Sequence, residues 1–134
     1  MTLEASRTSR DYLYGRLLAV AEHIEGRALY VAGEQRDTTA ARLMQRFADR
    51  PATTWLSIER ALTPYMTRLR SRRPAFLHQM KQLLDDVVSS FSATDFVDDH
   101  RLSGEYLLGY HCQRQALNQS KQGEAASDEE STDI

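Results

Sequence analysis

Apolar residues along this chain recur every three or four positions and nowhere alternate. The first series runs through Leu13, Leu17, Val20, Ile24 and Leu29, a spacing that keeps side chains on one face of a 3.6-residue helix. It predicts a long helix over residues 8–32, with Asp11 at the positive end of its dipole and Gly33 as its stop. Thr38 or Thr39 is placed to cap a second helix carrying Leu43, Met44 and Phe47, which ends before Pro51 because the residue preceding a proline disfavours helical geometry. A third series, Trp55, Ile58, Leu62, Met66 and Leu69, begins near Thr53 and contains Pro64, where a kink or a break is expected. Pro74 suits the first turn of a fourth helix. Its residues Phe76, Leu77, Met80, Leu83, Leu84, Val87, Val88 and Phe91 form the cleanest apolar stripe in the chain, which predicts that this helix is the centre of the core. A fifth helix follows the polar loop 92–95, carries Gly104 and Gly109, and runs to about Leu117.

The predicted fold is all-α, a bundle of about five helices over residues 1–118. Residues 119–134 hold almost no apolar side chains, and their Ser-Asp-Glu-Glu-Ser composition predicts a disordered acidic tail. With 41% hydrophobic residues, a chain of 134 is long enough for one core of ordinary size. No apolar run approaches the ~18 residues of a membrane span, and no basic-then-apolar leader follows Met1. A soluble, cytoplasmic protein is expected. The single cysteine, Cys112, cannot form an internal disulfide or supply a cysteine-rich zinc site.

Charge adds a segregation to this picture. Five of the 19 acidic residues fall in the last eleven positions, so the first 123 hold 14 acidic against 17 basic residues. Fifteen of those 17 are arginine, whose planar fork suits phosphate better than the point charge of lysine. Arg42, Arg46 and Arg50 recur every four residues and would form one cationic row on the second helix. Arg68, Arg70, Arg72 and Arg73 cluster at the junction of the third and fourth helices with almost no acid nearby in sequence. Both groups are candidate phosphate contacts, and both read equally as solvated helix faces. Trp55, at helical spacing with Ile58 and Leu62, reads as core rather than as a base-stacking platform.

Catalytic chemistry finds no support in the sequence. Asp95, Asp98, Asp99 and His100 superficially suggest a metal-dependent nuclease, yet His23, His78 and His111 share no ligand spacing with them. An acidic cap for the open amides of the last helix is the expected role of Asp98 and Asp99. No nucleotide-binding or nucleophile-elbow fingerprint is present.

Two segments stand out: Asp11-Tyr12-Leu13-Tyr14-Gly15-Arg16-Leu17-Leu18-Ala19-Val20-Ala21-Glu22 and Gly104-Glu105-Tyr106-Leu107-Leu108-Gly109-Tyr110-His111-Cys112-Gln113-Arg114-Gln115. The second keeps two glycines inside a strongly helical run, where each costs ~1 kcal/mol relative to alanine and is retained for packing. Gly104 and Gly109, about 140° apart around a helix, would admit close neighbours on two sides. Arg114 is expected to pin the last helix to acids of the first. In this order the segments resemble the Tyr-x-x-Gly-Arg-Leu-x-Ala-Val-x-Glu and Gly-x-x-x-x-Gly-Tyr-x-x-Gln-Arg-like helices that open and close the C-terminal helical region of the large-subunit family of type I-C CRISPR surveillance complexes (Cascade). Residues 36–100 match that family only as a helical pattern, and His111-Cys112 stands where its members tend to carry Tyr-His.

The length suits the separate small subunit made from an internal start of the same gene, or the excised C-terminal domain of the large subunit, which share one sequence. The resemblance implies a non-catalytic subunit without cofactor. Its implied partners are the backbone and large subunits, further copies of itself, the crRNA–target DNA hybrid and the displaced DNA strand, with no membrane and no small-molecule substrate. A helical protein–protein adaptor that touches no nucleic acid is the alternative, and a helix-turn-helix regulator reading DNA through the second helix is a more distant one.

Overall fold

A computed structural model describes residues 2–97 and 99–132 of the chain, with side chains described as far as Gln119. It is an all-α fold of six helices, with no strand among the described residues: α1 (Arg10–Ala32), α2 (Thr39–Arg42), α3 (Met44–Asp49), α4 (Pro51–Arg72), α5 (Pro74–Ser89) and α6 (Glu105–Thr132). The helix count differs from the sequence expectation because the second predicted helix is interrupted at Leu43 (φ −99°, ψ 7°). Its two halves are anchored separately. Thr39 donates its backbone N–H to the buried Glu25 carboxylate (2.8 Å), whereas Phe47 packs edge-on against Tyr14 (centroids 5.7 Å apart). A turn between them lets both anchors hold.

The centre of the bundle is α1, not α5. Every residue from Tyr12 to Ala21 is buried, including Gly15 and Arg16, so this helix is enclosed on all sides by α6, α4 and α5. α5 buries only one face, through Phe76, Leu77, Met80 and Val87, and leaves Val88 exposed. A clean stripe marks a helix at the periphery of a core, because only such a helix needs a polar back.

The ends of α1 follow their local chemistry. Gly33 adopts the left-handed conformation (φ 71°) that permits the N–H of Gly33 and of Glu34 to close on the carbonyls of Tyr30 and Leu29. Thr38 Oγ1 caps α2 by accepting from the Ala41 N–H (3.1 Å). Pro51 occupies the first turn of α4, which runs on through Pro64 to Arg72, so the expected break does not occur. Pro64 and Arg60, whose carbonyl loses its helical partner, both lie on the exposed face, and the opposite face is held down by Ile58, Leu62 and Leu69.

α6 continues past Leu117, where the sequence predicts its end. Side chains from residue 120 onward, together with residues 133–134, lie outside the described residues, and the expected disorder of the acidic tail falls there.

The segment between α5 and α6 is tied to the core rather than looped away from it. Phe91 and Phe96 stack edge-on around Tyr14, whose hydroxyl donates to the Asp95 carbonyl (3.0 Å), and Leu102 is buried with its N–H on the Ala48 carbonyl (2.8 Å). Asp99 does not cap α6. Its carboxylate accepts from the backbone N–H (3.0 Å) and the hydroxyl of Thr53, capping α4, and those two hydrogen bonds, the hydroxyl's foremost, hold it below the usual carboxylate range. Asp98, expected to share the cap, lies outside the described residues. The start of α6 is fixed from the first turn of α1 and the residues before it, since Ser103 donates its N–H to Asp11 (2.8 Å) and Glu105 accepts from Arg7 (2.6 Å) and Ser9 (2.9 Å).

Candidate nucleic-acid interface

The two glycine-bearing segments that are most distinctive in the sequence meet each other. A Cβ added at Gly15 would run into the Tyr106 carbonyl oxygen and lie 2.6 Å from the Tyr110 nitrogen; one added at Gly109 would run into the Tyr12 carbonyl oxygen and lie 2.9 Å from its carbon. The backbones of α1 and α6 are therefore in direct contact at two points. Gly104, expected to take part, has nothing within 4 Å of its added Cβ. Around these contacts the other motif residues pair: Arg16 Nε donates to Gln113 Oε1 (2.8 Å), the Tyr110 hydroxyl donates to the Glu22 carboxylate (2.8 Å), and Arg114 approaches the same carboxylate (4.0 Å). The expected link from Arg114 to an acid of the first helix is present.

This seam is structural. Arg16 and Gln113 are buried, and desolvation lowers the Arg16 pKa from its ordinary value. Tyr110 is raised from 10.0 to about 12, chiefly by burial and then by its hydrogen bond to Glu22. Folding thus holds the phenolic proton more tightly than the unfolded chain does. The stability this adds is fully present below pH 10 and is lost as pH climbs towards about 12. Tyr110→Phe should therefore show a shallower loss of stability than wild type over that interval, measured as urea midpoints against pH; parallel curves would show that the phenol carries no linkage.

His111, beside this seam, is exposed and Cys112 is buried. Trp55 is buried in the core, as its spacing predicts.

The arginines expected to face outward divide into four sets. Arg42, Arg46 and Arg50 are exposed, but they do not form one row on one helix: Arg42 ends α2, Arg46 lies in α3, and Arg50 precedes α4. Arg70 and Arg72 are exposed on the last turn of α4. No carboxylate among the described residues lies within 4.0 Å of any of these five. Arg68 behaves differently, since it sits half-buried beside the Tyr65 ring (5.7 Å) with Nη2 3.9 Å from Glu34. The acid that neutralises it comes from the α1–α2 connection, invisible in the local sequence. Arg73, half-buried, turns inward and lines a groove.

That groove was not legible in the sequence. It has a volume of about 950 Å³ and is bounded by the C-terminal half of α1 (Glu22, Arg27, Tyr30), by Thr38, Ala41 and Met44 of the α2–α3 region, and by Arg114 of α6. Arg73 lines it, and so does Ala41, the chain neighbour of Arg42. α1 and α6 supply most of its lining and the α1–α3 region and Arg73 the rest, so no contiguous signal announces it.

Among the described residues no group of three or more His, Cys, Asp or Glu side chains is placed to hold a metal ion, and no helix is long and apolar enough to cross a membrane. Fold and surface together define a helical protein built on a glycine-locked pair of helices, with exposed arginines that have no ion-pair partner among the described residues. The sequence model of the CRISPR-associated protein family Cas_Csd1 matches residues 1–118, which is the entire part of the chain that precedes the acidic tail, and the chain belongs to that family. A search of the curated proteins returned no match.

Proposed function

We propose that this CRISPR-associated chain is a non-enzymatic helical subunit of a type I-C RNA-guided DNA-surveillance complex, corresponding to the separate small subunit, and that it stabilises the R-loop. Its partners would be the backbone and large subunits, further copies of itself, and the crRNA–target hybrid and displaced strand. The observation that carries the reading is the set of exposed arginines, Arg42, Arg46, Arg50, Arg70 and Arg72, none ion-paired among the described residues. Exchange of a DNA duplex for a guide RNA–DNA hybrid is nearly balanced in free energy, so a few backbone contacts determine whether the opened state persists. Such contacts need positive charge on a rigid surface and no base reading.

The helix-turn-helix alternative loses its recognition element, because α2 and α3 have only four and six residues. The adaptor reading makes a different prediction from the one proposed. The variants R42E/R46E/R50E and R70E/R72E/R73E should fold, and complexes containing at least one of them should bind target duplex more weakly, with a salt dependence shallower by up to about three phosphate contacts. The loss should be uniform across target sequences, measured by titration at several salt concentrations. Wild-type affinity and slope in both complexes would replace this reading with the adaptor.

A further inference from the structure

We propose that the acidic segment 120–134 of this chain folds back on its own bundle and occupies the arginine edge of the groove, Arg70, Arg72 and Arg73. Any other anion then reaches those guanidiniums only by displacing the segment. The contact goes beyond the preceding reading and does not depend on it, because it needs nothing but the charges of this chain.

Three observations converge on this assignment. First, the segment is strongly one-signed: Glu124, Asp128, Glu129, Glu130 and Asp133 stand against the single base Lys121. Second, the three arginines are where the acids of the bundle run out. Arg36 lies by Glu34 (3.6 Å), Arg68 by Glu34 (3.9 Å), Arg101 by Asp49 (2.7 Å) and Arg114 by Glu22 (4.0 Å). Arg70 and Arg72 are exposed, Arg73 is half-buried with Nη1 donating to the Arg72 carbonyl (2.9 Å), and none of the three has a carboxylate within 4.0 Å among the described residues. Third, the segment starts at the right place. Leu117 is buried, Asn118 and Gln119 are exposed, and Leu117 and Asn118 line the same groove as Arg73. The chain therefore leaves the bundle beside the arginines that lack a partner.

Reach and cost both permit the contact. The ten residues from Asn118 to Asp128 span up to about 33 Å once unwound, enough to cross the groove and turn back. α6 runs as a helix to Thr132, but its sequence beyond Leu117 offers almost no apolar side chain for packing, and a helix without packing is marginal in water. Acids in its last turns also oppose the helix dipole, and Gly123 weakens the helix before them. Tethering holds the carboxylates near the arginines at an effective concentration on the order of millimolar, so individually weak ion pairs act together.

The test uses the full 134-residue chain carrying a nitroxide at Ser127→Cys, the native Cys112 being buried and so spared by the label. Backbone amide signals of residues 69–73 are compared with the nitroxide intact and reduced. They should broaden at low salt and recover in 1 M NaCl, where the screening length falls to about 3 Å. Inorganic polyphosphate added at low salt should restore them too, by taking the place of the segment. In the same labelled chain, E124Q/D128N/E129Q/E130Q/D133N should remove the broadening, and so should R70E/R72E/R73E, with the other amide shifts unchanged as the sign of an intact bundle. Isotope-labelled chain mixed with a separate nitroxide-bearing chain should show no broadening. The proposal is overturned if residues 69–73 do not broaden at low salt, or if the broadening survives salt, polyphosphate or either set of substitutions. Broadening in the mixture overturns it as well, by placing the segment on a neighbouring copy. All of these outcomes leave the R-loop reading intact, because that reading is decided by the R42E/R46E/R50E and R70E/R72E/R73E complexes on target duplex.

Discussion

Replacing either Gly15 or Gly109 by alanine should cost this protein about 3 kcal/mol, at the upper end of what overpacking a close contact usually costs. At each position the added methyl would fall within 3.0 Å of backbone atoms of the facing helix, and backbone cannot swing aside as a side chain can. α1 and α6 would have to separate along their length, which also loosens Arg16–Gln113 and Tyr110–Glu22. The gain from helix propensity, ~1 kcal/mol for glycine to alanine, works in the opposite direction and is too small to compensate. Gly26 supplies the control, since it lies in the same helix with nothing within 4 Å of its added Cβ. Gly26→Ala should raise stability by up to about 1 kcal/mol. Denaturant midpoints of the three variants, at unchanged m-value, make the comparison. Gly15 or Gly109 variants that match Gly26→Ala would show that the helices do not pack as closely as described.

The second large effect is expected at the buried pair beside those glycines. Arg16 is 5% exposed and Gln113 2%, and their hydrogen bond joins the two helices in the middle of the core. Arg16→Ala removes packing and leaves the Gln113 carbonyl without that donor, for a loss of about 3 kcal/mol. Gln113→Leu leaves a buried guanidinium short of an acceptor and should cost about 2 to 3 kcal/mol. The double variant R16M/Q113L removes both polar partners and retains volume, so it should be more stable than the sum of the single losses implies. A double-mutant cycle read by urea denaturation measures that coupling. Strict additivity would mean that the pair is not an energetic unit.

Together these contacts assign the motif residues to the packing of α1 on α6. Tyr12, Gly15, Arg16 and Glu22 of the first segment and Gly109, Tyr110, Gln113 and Arg114 of the second all work at one helix–helix seam. The residues that carry the resemblance in sequence therefore specify how the bundle closes, and the proposed nucleic-acid surface is built from arginines elsewhere.

Local signals determined that this chain is helical, where α1 stops, and most of the residues of α4 and α5 that face inward, Val88 excepted, because amphipathic spacing and a left-handed glycine are local properties. It misplaced the centre of the core. α1 has so many apolar and aromatic neighbours between Tyr12 and Ala21 that its stripe is blurred, and it is this absence of a polar back that marks full enclosure. The continuity of α4 through Pro64, the turn at Leu43 and the capping of α4 by Asp99 all depend on partners distant in sequence.

The same division holds for the candidate interface. Sequence spacing identified Arg42, Arg46, Arg50, Arg70 and Arg72 as outward charges, since their neighbours on the chain set their exposure. Only the tertiary structure withdrew Arg68, by bringing Glu34 to it, turned Arg73 inward, and joined Arg27, Tyr30 and Arg114 to it around one groove. A site shared among several elements has no single motif, because what selects its members is the packing of the helices that carry them.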